Sequence, residues 1–162
     1  MVLAKIVSIT DGDTFRVRLR RKETIIRIAC IDTPEMSDDP WGQKAKDALT
    51  GMLKIGSKVA LMEHDTDRYG RTVAEVYKGR KQGRNIGLAL VKRGLAEVYE
   101  KYAYQCDEDK LIKYEHKAQR QGKGIWRSSE NVQHIKSNDS SKQWSSSKVP
   151  AYSGTRDITC SQ

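Results

Sequence analysis

The chain opens with two β-type runs, "VLAKIVSIT" at 2–10 and "TFRVRLR" at 14–20, separated by the turn-forming "DGD". The second run alternates strictly. Phe15, Val17 and Leu19 share one face and Arg16, Arg18 and Arg20 the other, which is the period of a strand with one wet side. After "RKE", a third run, "TIIRIACI" at 24–31, completes an antiparallel meander. From Trp41 to Ile55 the period lengthens: Trp41, Ala45, Ala48, Leu49, Met52 and Leu53 recur at helical spacing, and Gly56 is a stop. "SKVALMEH" at 57–64 and "RTVAEVYK" at 71–78 read as two more strands, joined by the turn-rich "DTDRYG". "NIGLALVKRG" at 85–94 predicts a short helix with Asn85 as N-cap and Gly94 as stop. "DEDKLIKYEHKAQRQG" at 107–122 predicts a third helix, acidic in its first turn and basic in its last, with Leu111, Glu115 and Ala118 near one face and Ile125 and Trp126 beneath it.

Five strands interleaved with three helices predict an α+β, mainly β chain: a small five-stranded barrel of the OB type with helices packed around it. The length suits one domain, placed at residues 1–127. Beyond Arg127 the chain turns polar and serine-rich, and 128–162 is expected to be a flexible tail.

Charge narrows the partners. Thirty Lys and Arg against 21 Asp and Glu give a formal charge of +9, a surface that concentrates polyanions, of which nucleic acid is the commonest. No apolar run approaches the roughly 20 residues that cross a bilayer, and no strongly basic amphipathic helix offers a large apolar face, so a membrane partner is not expected. Cys30, Cys106 and Cys160 are odd in number and widely spaced, fitting neither a disulfide framework nor a zinc site; Cys30 reads as a small core residue.

Against that basic background stand a few placed acids. Asp13 heads the second strand on the parity of Phe15, so it should lie at a barrel mouth with a partner. Asp32 ends the neighbouring third strand, beside the "TP" segment. Two carboxylates with a backbone carbonyl suit a hard cation such as calcium. Each acid taken singly reads equally well as a turn residue. "DGDTF" is not an EF-hand loop, since Phe15 stands where an oxygen ligand is needed. "HDTD" at 64–67 reads as the close of the fourth strand. Arg27, one face away from Asp32 by parity, and Arg71 are ordinary surface arginines singly; beside a cation, their guanidinium forks would clamp a phosphodiester.

In order and spacing, "DGDT", Arg27 followed by "IDTPE", "DRYGR" and "AEVYEKY…YEHKAQRQGKGIW" resemble the staphylococcal nuclease family over residues 2–126. The resemblance implies an OB-fold barrel with three helices and a calcium-dependent nuclease acting on DNA and RNA, which breaks the bond to the 5′ oxygen and leaves 3′-phosphate ends. It also implies that Asp13 and Asp32 are side-chain metal ligands and that Thr33 adds its backbone carbonyl. Glu35 would activate or orient the attacking water, and Arg27 and Arg71 would bind the phosphate. Arg68, Tyr69, Tyr99 and Tyr102 fall in the substrate-contact regions. The loop from Met36 to Trp41 is shorter and more acidic than in the best-known relative, which bears on substrate preference. Members that are pure binding modules tend to lose some of these positions. The complete set favours an active enzyme over the alternative, a non-catalytic OB-fold nucleic-acid-binding module. Many members are exported, so the favoured expectation is a secreted or periplasmic monomer whose leader is absent from this chain, with a cytoplasmic location as the alternative.

Overall fold

Alternation along the first eighty residues becomes a closed barrel in the computed structural model, which describes residues 1–80 and 82–127. In chain order the elements are β1 (Val2–Ile9), β2 (Thr14–Leu19), β3 (Lys22–Ile28), β4 (Ile31–Asp32), α1 (Trp41–Met52), β5 (Lys58–Thr66) and β6 (Thr72–Lys78), then α2 (Ile86–Lys92), β7 (Glu97–Val98), a 3-10 turn at Glu100–Gln105, α3 (Glu108–Arg120) and a last 3-10 turn at Gly124–Trp126. The tail expected at 128–162, Cys160 included, lies outside the described residues. Among the described residues no helix is long and apolar enough to cross a membrane.

The barrel runs β1-β2-β3-β6-β5 and closes through β5 on β1, Val2 facing Leu61 and Lys5 facing Lys58. Its pairs are antiparallel except β3 with β6, which is parallel. Closure needs sharply bent strands, and both β1 (between Ile6 and Ser8) and β5 (between Glu63 and Asp65) carry register irregularities of the kind that bend a strand. Inward positions follow the alternation: Ile6, Phe15, Val17, Ile26, Ile28, Val59, Leu61 and Val76 are buried. Each such side chain contributes about 1.5–3 kcal/mol on leaving water, which fixes the frame at whose mouth the loops sit. Outward, Arg16 and Arg18 reach Glu23 across the β2–β3 pair at 3.5 and 2.9 Å.

The helices cover the barrel as their patterns require. α1 buries Ala45, Leu49 and Met52. α2 starts at Asn85, whose side-chain oxygen accepts from Leu88 N, and α3 starts at Asp107, which accepts from Lys110 N. The α3 face read from the sequence is buried, and its Glu115 accepts from Val98 N at 2.8 Å, fastening β7 to the helix. Gly94, at φ +68°, lies so close to the Lys123 carbonyl that a Cβ there would collide with it.

Three sequence expectations are corrected. The third strand does not run through to Asp32: Ala29 and Cys30 turn, Cys30 at φ 68°, and the chain resumes as β4, which pairs with β7 rather than with the barrel. Cys30 is not merely a small core residue, because it is disulfide-bonded to Cys106, 76 positions away, with Cα atoms 6.4 Å apart. Spacing along the chain could not show that meeting, which the folding of the 3-10 turn over the β3–β4 bend creates. Finally, the strand predicted to end at His64 runs on through Thr66; "HDTD" does close β5, and Asp67 begins the turn.

Candidate active site

At one mouth of the barrel a cleft of about 850 Å³ is lined by Asp13, Arg27, Asp32, Thr33, Glu35, Arg68, Tyr69, Arg71, Tyr99 and Tyr102. These are all ten residues singled out from the sequence. They come from the β1–β2 turn, the end of β3, β4, the loop before α1, the β5–β6 turn and the stretch from Tyr99 into the 3-10 turn after β7.

The acid pole is built on the "DGD" turn. Asp11 Oδ1 accepts from Asp13 N at 3.0 Å and shapes the turn, and Gly12 lets it dock: a Cβ there would lie 2.7 Å from the Ala45 Cβ and 2.8 Å from Thr33 Oγ1. Asp13, 7% exposed, accepts from Thr33 N at 3.1 Å and from Thr14 Oγ1 at 3.0 Å. Burial pushes the Asp13 carboxyl above its ordinary value; the Arg27 guanidinium pulls it down, and Asp11 adds to the rise. Arg27 Nη2 lies 3.3 Å from both Asp13 Oδ2 and Asp32 Oδ1, while its Nη1 donates to the Ile28 carbonyl at 2.6 Å. The parity argument that set Arg27 and Asp32 on opposite faces therefore fails. The left-handed Cys30 between them resets the alternation, and both side chains enter one cleft.

Glu35 is exposed at the edge of the cleft; Asp38 accepts from its N–H at 3.2 Å and donates back to its carbonyl at 2.9 Å. Gly42 at the start of α1 packs directly on that carbonyl, where any side chain would collide.

The basic pole is the β5–β6 turn, organised by Asp67. Its carboxylate accepts from Arg71 Nε at 2.7 Å, Arg71 N at 3.0 Å and Tyr69 N at 2.9 Å. Burial raises the Asp67 carboxyl, but these hydrogen bonds outweigh it and leave the group below its ordinary value. Arg71 is thus aimed by an anion four positions earlier on the same turn, with Gly70 at φ +77° allowing the reversal. The guanidinium carbons of Arg68 and Arg71 stand 4.9 and 5.3 Å from the Tyr69 ring, and Arg68 Nη2 donates to Tyr69 OH at 2.8 Å. Tyr69 is 67% exposed, a face open to a flat partner. On the opposite wall Tyr99 and Tyr102 meet edge to face, centroids 5.2 Å apart, with Lys101 Nζ 5.3 Å from the Tyr102 ring.

The cleft also holds residues to which the sequence reading gave no role: Asp11, Asp65, Asp67, Lys101 and Gln105. Asp67 carried a usable signal, an acid four positions before Arg71 around a glycine turn.

Comparison with known proteins bears on the family. A family model described as staphylococcal nuclease homologue matches residues 25–128. A micrococcal nuclease of Shigella flexneri is 36% identical over 128 residues, covering 75% of this chain and 72% of that protein. An uncharacterized endonuclease of Haemophilus influenzae is 36% identical over 123 residues, covering 75% and 65%, and one of Escherichia coli is 32% identical over 128 residues, covering 79% of each. Asp13 precedes the matched family segment, so its place beside Arg27 and Asp32 rests on the geometry. The barrel, the ordered motifs and the match over residues 25–128 together establish that the chain belongs to the staphylococcal nuclease family.

Proposed function

We propose that this chain is a calcium-dependent, sugar-nonspecific nuclease that hydrolyses DNA and RNA and leaves 3′-phosphate ends. The observation that carries the reading is the convergence of Asp13, Asp32, Thr33, Glu35, Arg27 and Arg71 on one cleft from five separate segments of chain. A module that only binds nucleic acid has no need of a paired acid pole facing a pair of arginines.

The acid pole fits a hard cation by its donors: two carboxylates and the Thr33 carbonyl offer oxygen alone, and Asp13 is a buried carboxylate drawn to positive charge. Calcium, when bound there, supplies Lewis-acid polarisation and neutralises charge that builds on the phosphate. The chain's own residues do the rest. Arg27 and Arg71 grip the phosphate oxygens from two sides, held in place by Asp13 and Asp32 on one and by Asp67 on the other. Fixed guanidinium charge of this kind stabilises the negative charge of the transition state without reorganising during the reaction. Glu35, at the open edge, orients a water or accepts its proton. The water oxygen bonds to phosphorus, the bond to the 5′ oxygen breaks, and that oxygen leaves as a hydroxyl with a proton. Tyr69, Arg68, Tyr99 and Tyr102 offer ring faces and donors along the walls, contacts to bases and phosphates that do not depend on the sugar.

The test is cleavage of single-stranded DNA and of RNA with calcium and with a chelator, with end-group analysis of the products. The expected result is metal-dependent cleavage to 3′-phosphates, lost in Asp13→Ala and Arg71→Ala while both variants stay folded. Binding without cleavage in calcium would favour the non-catalytic module instead, and wild-type rates in both variants would break the residue assignments.

A further inference from the structure

Next to the candidate active site, with Ile28 in the lining of both, lies a second cleft of about 690 Å³, lined among others by Glu75, Tyr77, Asn85 and Cys106. Beside Glu75 and Cys106 of that lining stands His64: one of its ring nitrogens, a Glu75 carboxylate oxygen and Cys106 Sγ lie within 4.8 Å of one another. His64 sits at the irregularity of β5, between Glu63 and Asp65, where a bulge re-aims a side chain; its Nε2 is 2.9 Å from Glu75 Oε2. The other carboxylate oxygen, Oε1, is held by Tyr77 OH at 3.1 Å and Asn85 Nδ2 at 3.4 Å. That is the layout of a ligand set with its outer partners in place: Oε1 oriented by two donors, Oε2 turned toward the histidine. Only the sulfur is unavailable, because Cys106 is bonded to Cys30.

We propose that reduction of the Cys30–Cys106 disulfide opens a zinc site made of His64 Nε2, Glu75 Oε2 and the Cys106 thiolate, with its fourth position facing the second cleft. Two anionic ligands balance the charge of Zn2+, so the half-buried site gains no net charge. One nitrogen, one oxygen and one sulfur suit zinc and not calcium, which takes oxygens. The two clefts would thus select different metals. Cys106 is half-buried and lines the second cleft, so a reductant reaches it through that cleft. With a phosphine, phosphorus attacks Cys106 Sγ, the S–S bond breaks and Cys30 leaves as a thiolate. Water then takes the phosphorus, giving the phosphine oxide and two cysteine thiols. Zinc binding displaces the Cys106 proton to solvent, and the hydrogen that Nε2 shares with Glu75 Oε2 leaves that nitrogen while Nδ1 takes one up from water, so the neutral ring offers its Nε2 lone pair to the metal.

The inference does not rest on nuclease activity. The full chain is reduced with a phosphine, freed of reductant under nitrogen and titrated with cobalt(II) and zinc(II), beside the oxidised protein and a Cys30→Ser variant in which Cys106 has no partner. Expected are one equivalent of metal bound by the reduced protein and by Cys30→Ser, a thiolate-to-cobalt charge-transfer band, and no comparable binding by the oxidised protein. Cys106→Ser should abolish the band, His64→Ala should abolish stoichiometric binding, and Tyr77→Phe should weaken affinity about tenfold, as loss of an outer partner does. A reduced protein that takes up no stoichiometric zinc, folded or not, overturns the proposal. So does zinc binding that survives His64→Ala, or equal binding by the oxidised chain.

Discussion

Replacing Arg27 by Met removes the cation shared by two acids. In the folded chain Arg27 Nη2 stands 3.3 Å from Asp13 Oδ2 and 3.3 Å from Asp32 Oδ1. The Asp32 side chain is 34% exposed and water can take over its solvation; that of Asp13 is only 10% exposed and is left as an unpaired buried carboxylate. Breaking a buried pair by removing one partner costs about 3–5 kcal/mol, and at roughly 2–4 °C per kcal/mol for a chain of this size the melting temperature should fall by roughly 6–20 °C. pH supplies the sharper check. Asp13 is already above its ordinary value through burial, and losing Arg27 removes the main force holding it down. For a group whose folded value exceeds its unfolded one, the contribution to stability is complete below the unfolded value, about 3.9 for Asp, and is lost as pH rises through the folded value. The gap between variant and wild type should therefore be wide at neutral pH and close as pH falls toward the unfolded value. The assay is thermal unfolding in a chelator across that range, with Arg27→Lys as a variant that keeps the charge and loses the fork. Calcium should restore more stability to Arg27→Met than to the wild type, because a cation pairs Asp13 in place of the guanidinium. A variant that melts with the wild type at pH 7, or a gap that does not change with pH, would refute this reasoning.

Two further substitutions probe how the poles are held. Gly12→Ala puts a Cβ 2.7 Å from the Ala45 Cβ, and the strain of overfilling such a contact, about 1–3 kcal/mol, should appear in calorimetry as a lowered melting temperature together with weaker calcium binding; unchanged values would mean the turn does not dock as described. Asp67→Asn removes the carboxylate that aims Arg71 and should slow cleavage with little loss of folding. Because the Asp67 carboxyl lies below its ordinary value when folded, its contribution to stability is present above the unfolded value and lost as pH falls through the folded one. The melting curves of wild type and Asp67→Asn should accordingly converge in acid, and a gap that grows in acid would reverse the assignment.

Legibility in this sequence follows the range of the forces involved. Local patterns were readable: the alternation that buries Phe15 and Val17, the Asn85 cap and the buried face of α3 all depend on neighbours within one turn or one strand pair. The parity of Arg27 and Asp32 misleads because alternation counts residues and assumes that the strand continues. Cys30 at φ 68° breaks that count, and nothing in its side-chain chemistry announces a left-handed backbone. The same residue reads as an ordinary core cysteine, since its partner lies 76 positions away and the two meet only after the 3-10 turn folds over the bend. The two errors have a common physical root. The bend turns Asp32 back toward Arg27, and the disulfide ties it to the turn that carries Tyr102, with the Tyr99 N–H donating to the Cys30 carbonyl at 2.8 Å just before that turn begins. The place where local reading fails is thus the place where the fold joins its acid pole to its aromatic wall. Such a junction depends on contacts between distant segments, and a rule based on neighbours has no access to it.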